Sequence, residues 1–363
     1  MNRTWWKEGV VYQIYPRSFK DSSGNGIGDI YGIIDKLDYI KSLGVNMIWI
    51  CPIYSSPNDD NGYDISDYRK ISEEFGGNKA FDILLNEMHK RDLKLIMDLV
   101  ANHSSDEHKW FQESKKGEDN PYHNYYFWKK GKADKPPNNW LSVFSGSAWE
   151  WDPNLNKYYL HSFTKKQPDL NWENPKVREE IYDILNFWFS KGVDGFRMDV
   201  ISFISKRLDF PQAKKGSTLS EMMENIYANG PRIHEYLKEM NEKVLSKYDI
   251  VTVGEGPGVN LETGLNYVDK KEKELNMVFH FDHLQIDFGP EGKFDPQPID
   301  FLKFKKVFSD WDSLLRNKGW NSIFLGNHDF SRIVSRFGND QKYRYESAKL
   351  LATLLMTLRG TPY

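Results

Sequence analysis

Gly195-Phe196-Arg197-Met198-Asp199-Val200 is the stretch on which the reading of this chain turns. From Val193 the run has the apolar chemistry of a buried strand, and it reaches an arginine and an aspartate two residues apart. Successive side chains of a strand point to opposite faces, so Arg197 and Asp199 share a face. An arginine beside a carboxylate keeps it ionised and fixes its orientation, as a nucleophile requires. A strand-end ion pair with no chemical role would look the same.

The pattern recurs. Leu93 to His103 is an apolar run that reaches Asp98 and then Asn102-His103, Ile250 to Glu255 ends in a carboxylate, and Ser322 to Asp329 ends in Asn327-His328-Asp329. Four strands each finish in groups capable of acid, base or nucleophile chemistry. In a parallel α/β barrel the carboxyl ends of the strands converge on one face, where such enzymes place their sites. The length of 363 residues suits one barrel of about 250 residues with insertions.

Composition removes several classes of function. A net charge of −3 leaves no basic excess to neutralise phosphates, so no nucleic-acid partner is expected. The single cysteine, Cys51, excludes an internal disulfide framework, and its setting in Trp49-Ile50-Cys51 reads as a small buried hydrophobe. No window approaches a transmembrane span, and Met1 to Gly9 holds no apolar stretch of signal-peptide length, so cytoplasmic residence without a membrane partner is expected.

Along the chain, strands and helices alternate. Val10 to Tyr15 reads as a first strand. A glycine-rich turn follows, with oxygen-bearing side chains at alternate positions. Asp21, Ser23, Asn25, Asp29 and the Ile27 carbonyl could fold round calcium, or the stretch could be a plain turn. Ile33, Leu37, Ile40 and Leu43 keep helical spacing up to Gly44, and Val45 to Ile50 is the second strand. A helix from about Asn78 to Arg91 leads into the third strand. Residues 104–172 then lose periodicity for far longer than a βα loop runs, which predicts a small subdomain over the carboxyl face.

The alternation resumes at Asn174, a helix cap with Pro175 at the first position, and that helix feeds the Arg197 strand. A helix from Ile233 to Tyr248 precedes the Glu255 strand. Met277 to Phe281, the helix Phe301 to Lys318, the strand Asn321 to Leu325 and the helix Tyr345 to Arg359 follow. Gly360 to Tyr363 begins an eighth strand.

These strand ends, together with Tyr12 to Phe19, Asn61 to Tyr68, Gln167 to Trp172 and Ser335 to Asp340, resemble the short shared regions of the α-amylase superfamily of glycoside hydrolases. The resemblance is nearest to its oligo-1,6-glucosidase and dextran glucosidase branch. It implies a (β/α)8 TIM barrel built from residues 1–103 and 173–363, with subdomain 104–172 inserted after the third strand. Relatives complete the eighth strand and continue into a C-terminal β-sandwich. The expectation is therefore a barrel that stops before strand 8 is complete, whose partner is the missing C-terminal segment of its own chain with the active-site Arg it carries. The resemblance also assigns Asp64 to the hydroxyls of a terminal glucose and Tyr63 to stacking on its ring. It places Phe144, Phe163 and Gln167 in the sugar pocket, although packing alone would account for either Phe.

The expected chemistry is glycoside hydrolysis with retention, in which one carboxylate attacks the anomeric carbon and a second, protonated, releases the leaving oxygen. Asp199, held ionised by Arg197, suits the nucleophile. Glu255 at the end of an apolar strand suits the acid/base, since partial desolvation favours a protonated carboxyl. Asp329 would hold the 2- and 3-hydroxyls, with His103 and His328 binding hydroxyls beside it. Val200 follows the nucleophile, and in this branch Val there accompanies α-1,6 bonds, whereas Thr or Ala accompanies α-1,4 bonds. The resemblance thus implies an exo-acting α-1,6-glucosidase on small oligosaccharides, with no organic cofactor. An α-1,4-glucosidase, a sucrose isomerase or transglucosidase, and a truncated, inactive sugar-binding remnant remain as alternatives.

Overall fold

The computed structural model describes residues 4–290 and 292–363. Six apolar runs form one parallel sheet, in chain order: β1 (Val11–Ile14), β2 (Met47–Ile50), β3 (Lys94–Val100), β4 (Gly195–Asp199), β5 (Val251–Glu255) and β6 (Met277–Phe279). The last two strands, β7 (Ser322–Ile323) and β8 (Thr361–Pro362), make a separate parallel pair. Side chains close the two seams: Ser322 Oγ donates to the Val278 carbonyl at 2.8 Å, and Thr361 Oγ1 donates to the Trp6 carbonyl at 2.8 Å. The expected barrel is therefore present as a curled sheet with a two-residue eighth strand.

Period-two alternation sorts each strand. Trp49, Ile96, Val251, Val253, Met277 and Phe279 fill the inside of the curl. Ile48, Leu95, Phe196 and Met198 face outward into the larger core beneath the helices. Gly195 lies in this wall because a Cβ there would stand 2.4 Å from the Val251 carbonyl oxygen of β5. Without that close approach the two central strands could not pair in their register, Val251 opposite Gly195 through Gly254 opposite Met198.

Helix α1 (Pro175–Lys191) shows how the sequence builds the outer layer. Asn174 caps it by accepting from the Lys176 N–H at 3.0 Å, and Gly192 ends it at a φ of 101°, which only glycine adopts freely. Val177, Ile181, Ile184, Leu185 and Trp188 are fully buried along one face, each worth about 1.5–3 kcal/mol. The helix expected from Ile33 to Leu43 breaks at Lys36 into Ile30–Asp35 and Leu37–Ser42. The helix from Ile233 ends at Lys243 and passes into a 3-10 turn.

The aperiodic stretch leaves the barrel beyond β3 and carries a three-stranded antiparallel sheet with Lys157–Leu160 between Trp128–Lys130 and Trp149–Asp152. It returns beside its point of exit. The Leu170 N–H donates to the Asn102 carbonyl at 2.8 Å, and Trp172 Nε1 donates to the Ala101 carbonyl at 2.7 Å. Among the described residues no helix is long and apolar enough to cross a membrane.

Candidate active site

Strand register assembles the centre. Asp98 of β3 lies directly opposite Arg197 of β4, and Val100 opposite Asp199. On the other side Gly254 pairs with Met198, which brings Glu255 level with Asp199. Arg197 therefore stands between three carboxylates. Its Nη1 donates to Asp199 Oδ1 and to Asp98 Oδ1, both at 2.8 Å, and its Nη2 lies 2.8 Å from Glu255 Oε2. One rigid guanidinium fork thus spans the two candidate catalytic carboxylates, in a site from which water is almost excluded.

Arg197 is thus the counter-charge of Asp199 and of its two neighbours at once. One positive charge faces three carboxylates, so the group takes up a proton more readily than solvated carboxylates do. Burial pushes the Asp199 carboxyl well up, against the pull of Arg197, and the charges of Glu255 and Asp98 push the same way. Asp98 is raised to about 6, again chiefly by burial. Its other oxygen accepts from Tyr63 OH at 3.1 Å and from Trp49 Nε1 at 3.2 Å.

The backbone turns sharply after the nucleophile position. Val200 sits at a φ of 33° and ψ of 43°, the left-handed region that a β-branched residue adopts only under strain. Its N–H donates to Glu255 Oε2 at 2.9 Å. Its side chain is buried with Phe163 and Phe203.

Both histidines join this centre. His103 Nε2 lies 3.1 Å from the Tyr63 carbonyl and 3.2 Å from Gln167 Nε2, with the Phe163 ring 5.0 Å from its own. His328 stacks parallel to Tyr63 at 5.4 Å, and its Nδ1 lies 3.0 Å from Gln13 Nε2. Burial pushes both imidazoles down to about 4, so they are neutral hydrogen-bonding groups near pH 7. Asp329 is 3.7 Å from His328 Nε2 and stays about half exposed at the rim, 47% for its side chain. Phe144 is also half exposed and meets Phe163 edge-on at 5.6 Å. Behind His103, the buried Lys206 donates to Asn102 Oδ1 at 2.7 Å and pairs with Asp169 at 2.8 Å.

One expectation needs correction. Asp64 is fully buried, and its oxygens accept from the Asp59 and Asp60 N–H groups and from Ser56 Oγ at 2.9 to 3.0 Å. It braces its own turn and is closed off from solvent. The residue that the sequence reading missed is Asp60, four positions earlier. Its carboxyl accepts from Gln167 Nε2 at 2.9 Å, and burial pushes it up to about 7, helped by the charges of Asp64, Asp329 and Asp59. The acidic pair Asp59-Asp60 ahead of Tyr63 was the available signal.

The glycine-rich loop, read as a calcium site or a plain turn, closes on its own hydrogen bonds. The Asp21 carboxylate accepts from the N–H groups of Ser23, Gly24 and Gly26 and from Ser23 Oγ. Asp29 caps the next helix through the Gly32 N–H and also accepts from Ser22, while Asn25 Oδ1 accepts from the Ile27 N–H. The loop of Asp21, Ser23, Asn25, Ile27 and Asp29 thus holds only two carboxylates, each already accepting hydrogen bonds from within the loop, as a plain turn would. Among the described residues no group of three or more His, Cys, Asp or Glu is arranged to hold a metal.

A curled parallel sheet with three carboxylates gathered on one arginine at its strand ends defines a class: α/β barrel proteins with an acidic site at the carboxyl face. The chain belongs to the α-amylase family, matching its catalytic-domain model, "Alpha amylase, catalytic domain", over residues 13–363. It is 60% identical to the oligo-1,6-glucosidase of Parageobacillus thermoglucosidasius, over 100% of this chain and 65% of that protein. Among solved structures it resembles trehalose-6-phosphate hydrolase of Bacillus licheniformis (52% identity, TM-score 0.94, 99% of this chain and 64% of that one). It also resembles an isomaltulose synthase mutant from Erwinia rhapontici, solved with its natural substrate sucrose (49% identity, TM-score 0.96, 100% and 65%). The chain thus spans about 65% of the length of the relatives it matches.

Proposed function

We propose that this chain is the catalytic part of a retaining, exo-acting α-glucosidase that cleaves α-1,6 bonds at the non-reducing end of isomalto-oligosaccharides. The observation that carries the reading is the single guanidinium of Arg197 bridging Asp199 and Glu255. Such a bridge gathers the two carboxyls on one group, and a retaining mechanism requires them about 5 to 5.5 Å apart.

In that mechanism Asp199 attacks the anomeric carbon while Glu255 transfers its proton to the departing glycosidic oxygen. A glucosyl ester on Asp199 results. Glu255, now ionised, takes a proton from water, which attacks the same carbon and frees glucose and Asp199. Asp329, His103 and His328 would hold ring hydroxyls, and Asp60 with Gln167 would hold those at the closed end of the pocket. Tyr63 and Phe163 supply ring surface, with Phe144 at the rim. Val200, buried beside Phe163 and Phe203 next to Asp199, supports the α-1,6 preference together with the names of the oligo-1,6-glucosidase relatives. Cytoplasmic work fits the one cysteine, Cys51, whose thiol is buried and pushed up to about 12.

The test is release of glucose from isomaltose, maltose, sucrose and trehalose 6-phosphate, with the anomer first formed read by NMR. Faster release from isomaltose, appearing as α-glucose, supports the proposal. First appearance of β-glucose would overturn retention. Rearranged disaccharide in place of glucose would favour transglucosylation, the reading suggested by the likeness to isomaltulose synthase.

A further inference from the structure

The strained residue after the nucleophile does more than shape the pocket. Val200 is held left-handed with its N–H donating to Glu255 Oε2 at 2.9 Å. That oxygen also forms an ion pair with Arg197 Nη2 at 2.8 Å, while Oε1 makes no hydrogen bond among the described residues. The Val200 N–H and the Arg197 charge both hold Oε2, and the other oxygen is left for a leaving group.

Left to itself, a valine would relax out of this conformation. Three ties prevent it by joining the turn after β4 to the loop after β5. Ser202 Oγ donates to the Pro257 carbonyl at 2.8 Å. Asn229 Nδ2 donates to the Gly258 carbonyl at 2.8 Å, and the Asn229 N–H donates to the Ser202 carbonyl at 3.0 Å. Asn229 is itself left-handed, with a φ of 55°, and is anchored by Tyr267 OH, which donates to its Oδ1 at 2.6 Å. Ser202 is fully buried, so its hydroxyl has no solvent to turn to.

We propose that Ser202 and Asn229 are positioning residues for Glu255: by clamping the β4 turn to the Gly256–Gly258 loop, they hold the Val200 N–H on the acid/base carboxyl. This rests on the function proposed above. Its consequence is specific to leaving groups. Departure of a sugar alkoxide needs a proton from Glu255, and general-acid assistance is worth about 10²–10⁴-fold. Departure of 2,4-dinitrophenolate from the aryl α-glucoside needs none.

The experiment compares kcat/KM for isomaltose and for the dinitrophenyl α-glucoside, which reports the first bond cleavage alone, in wild type, Ser202→Ala and Asn229→Ala. The expected result is a loss of at least about 10-fold on isomaltose in both variants, with the aryl substrate changed less than about 2-fold. Parallel losses on both substrates, or none on either, would overturn the inference. Crystal structures of the wild type and of Ser202→Ala form the second arm, which needs no activity. The Val200 N–H should leave hydrogen-bonding distance of Glu255 in the variant, and a bond that persists there overturns the positioning role. Should wild type cleave neither glucoside, the proposed function fails while this second arm still decides the inference.

Discussion

Replacing Asp60 with Asn should change how the stability of this protein depends on pH. The Asp60 carboxyl is raised from 3.8 to about 7 in the folded chain, first by burial and then by the charges of Asp64, Asp329 and Asp59, with Gln167 pulling the other way. A folded-state value above the unfolded one means that the protonated form is the favoured one. Its contribution is complete below about pH 4 and is lost as pH rises through about 7. At about 1.36 kcal/mol per unit the shift corresponds to about 4 kcal/mol, and partial solvent contact reduces this to about 2 kcal/mol. For a chain of this size that is about 3 °C in Tm. Asn keeps an oxygen for Gln167 and carries no charge at any pH. The Tm difference, Asp60→Asn minus wild type, should therefore grow by about 3 °C between pH 4.5 and 8.5, measured by differential scanning calorimetry. A difference that stays constant over that range, or shrinks, would refute the assignment of a half-buried, proton-retaining carboxyl at this position.

Three further outcomes are expected. Asp199→Asn should lower glucose release from isomaltose by at least about 10³-fold without loss of fold, and residual activity above one part in a hundred would remove Asp199 as nucleophile. Lys206→Met strands the buried Asp169 and should cost about 3–5 kcal/mol in urea unfolding, part of which Lys206→Met with Asp169→Asn recovers; a cost below about 1 kcal/mol would show that the pair is not closed off from water. Because Asp21 and Asp29 are already satisfied within their loop, millimolar calcium should leave Tm unchanged to within about 1 °C of a chelated sample, and a rise of several degrees would restore the metal site.

Much of this molecule was legible before any coordinate. Strand ends that switch from apolar residues to Asp, Glu, Asn and His marked the converging face, since only the carboxyl ends of parallel barrel strands tolerate so many polar groups in one place. The α1 helix could be bounded at both ends from Asn174, Pro175 and Gly192, because caps are local chemistry. The helix after Ile30 could not: apolar spacing continues through Lys36, and the break there is decided by how the segment meets its neighbours.

The sequence by itself determined which residues share a face. Period-two alternation put Arg197 and Asp199 side by side, and it extends to Asp98 and Glu255 once the strands are parallel. Tertiary structure alone decided the stoichiometry of the site. That one guanidinium serves three carboxylates depends on the register between β3, β4 and β5, which in turn depends on Gly195 meeting the Val251 carbonyl across the sheet. It also decided between two aspartates four residues apart. Asp64 turns into the loop backbone and Asp60 towards Gln167, a difference of side-chain direction that burial and hydrogen-bond satisfaction fix only after the chain has folded.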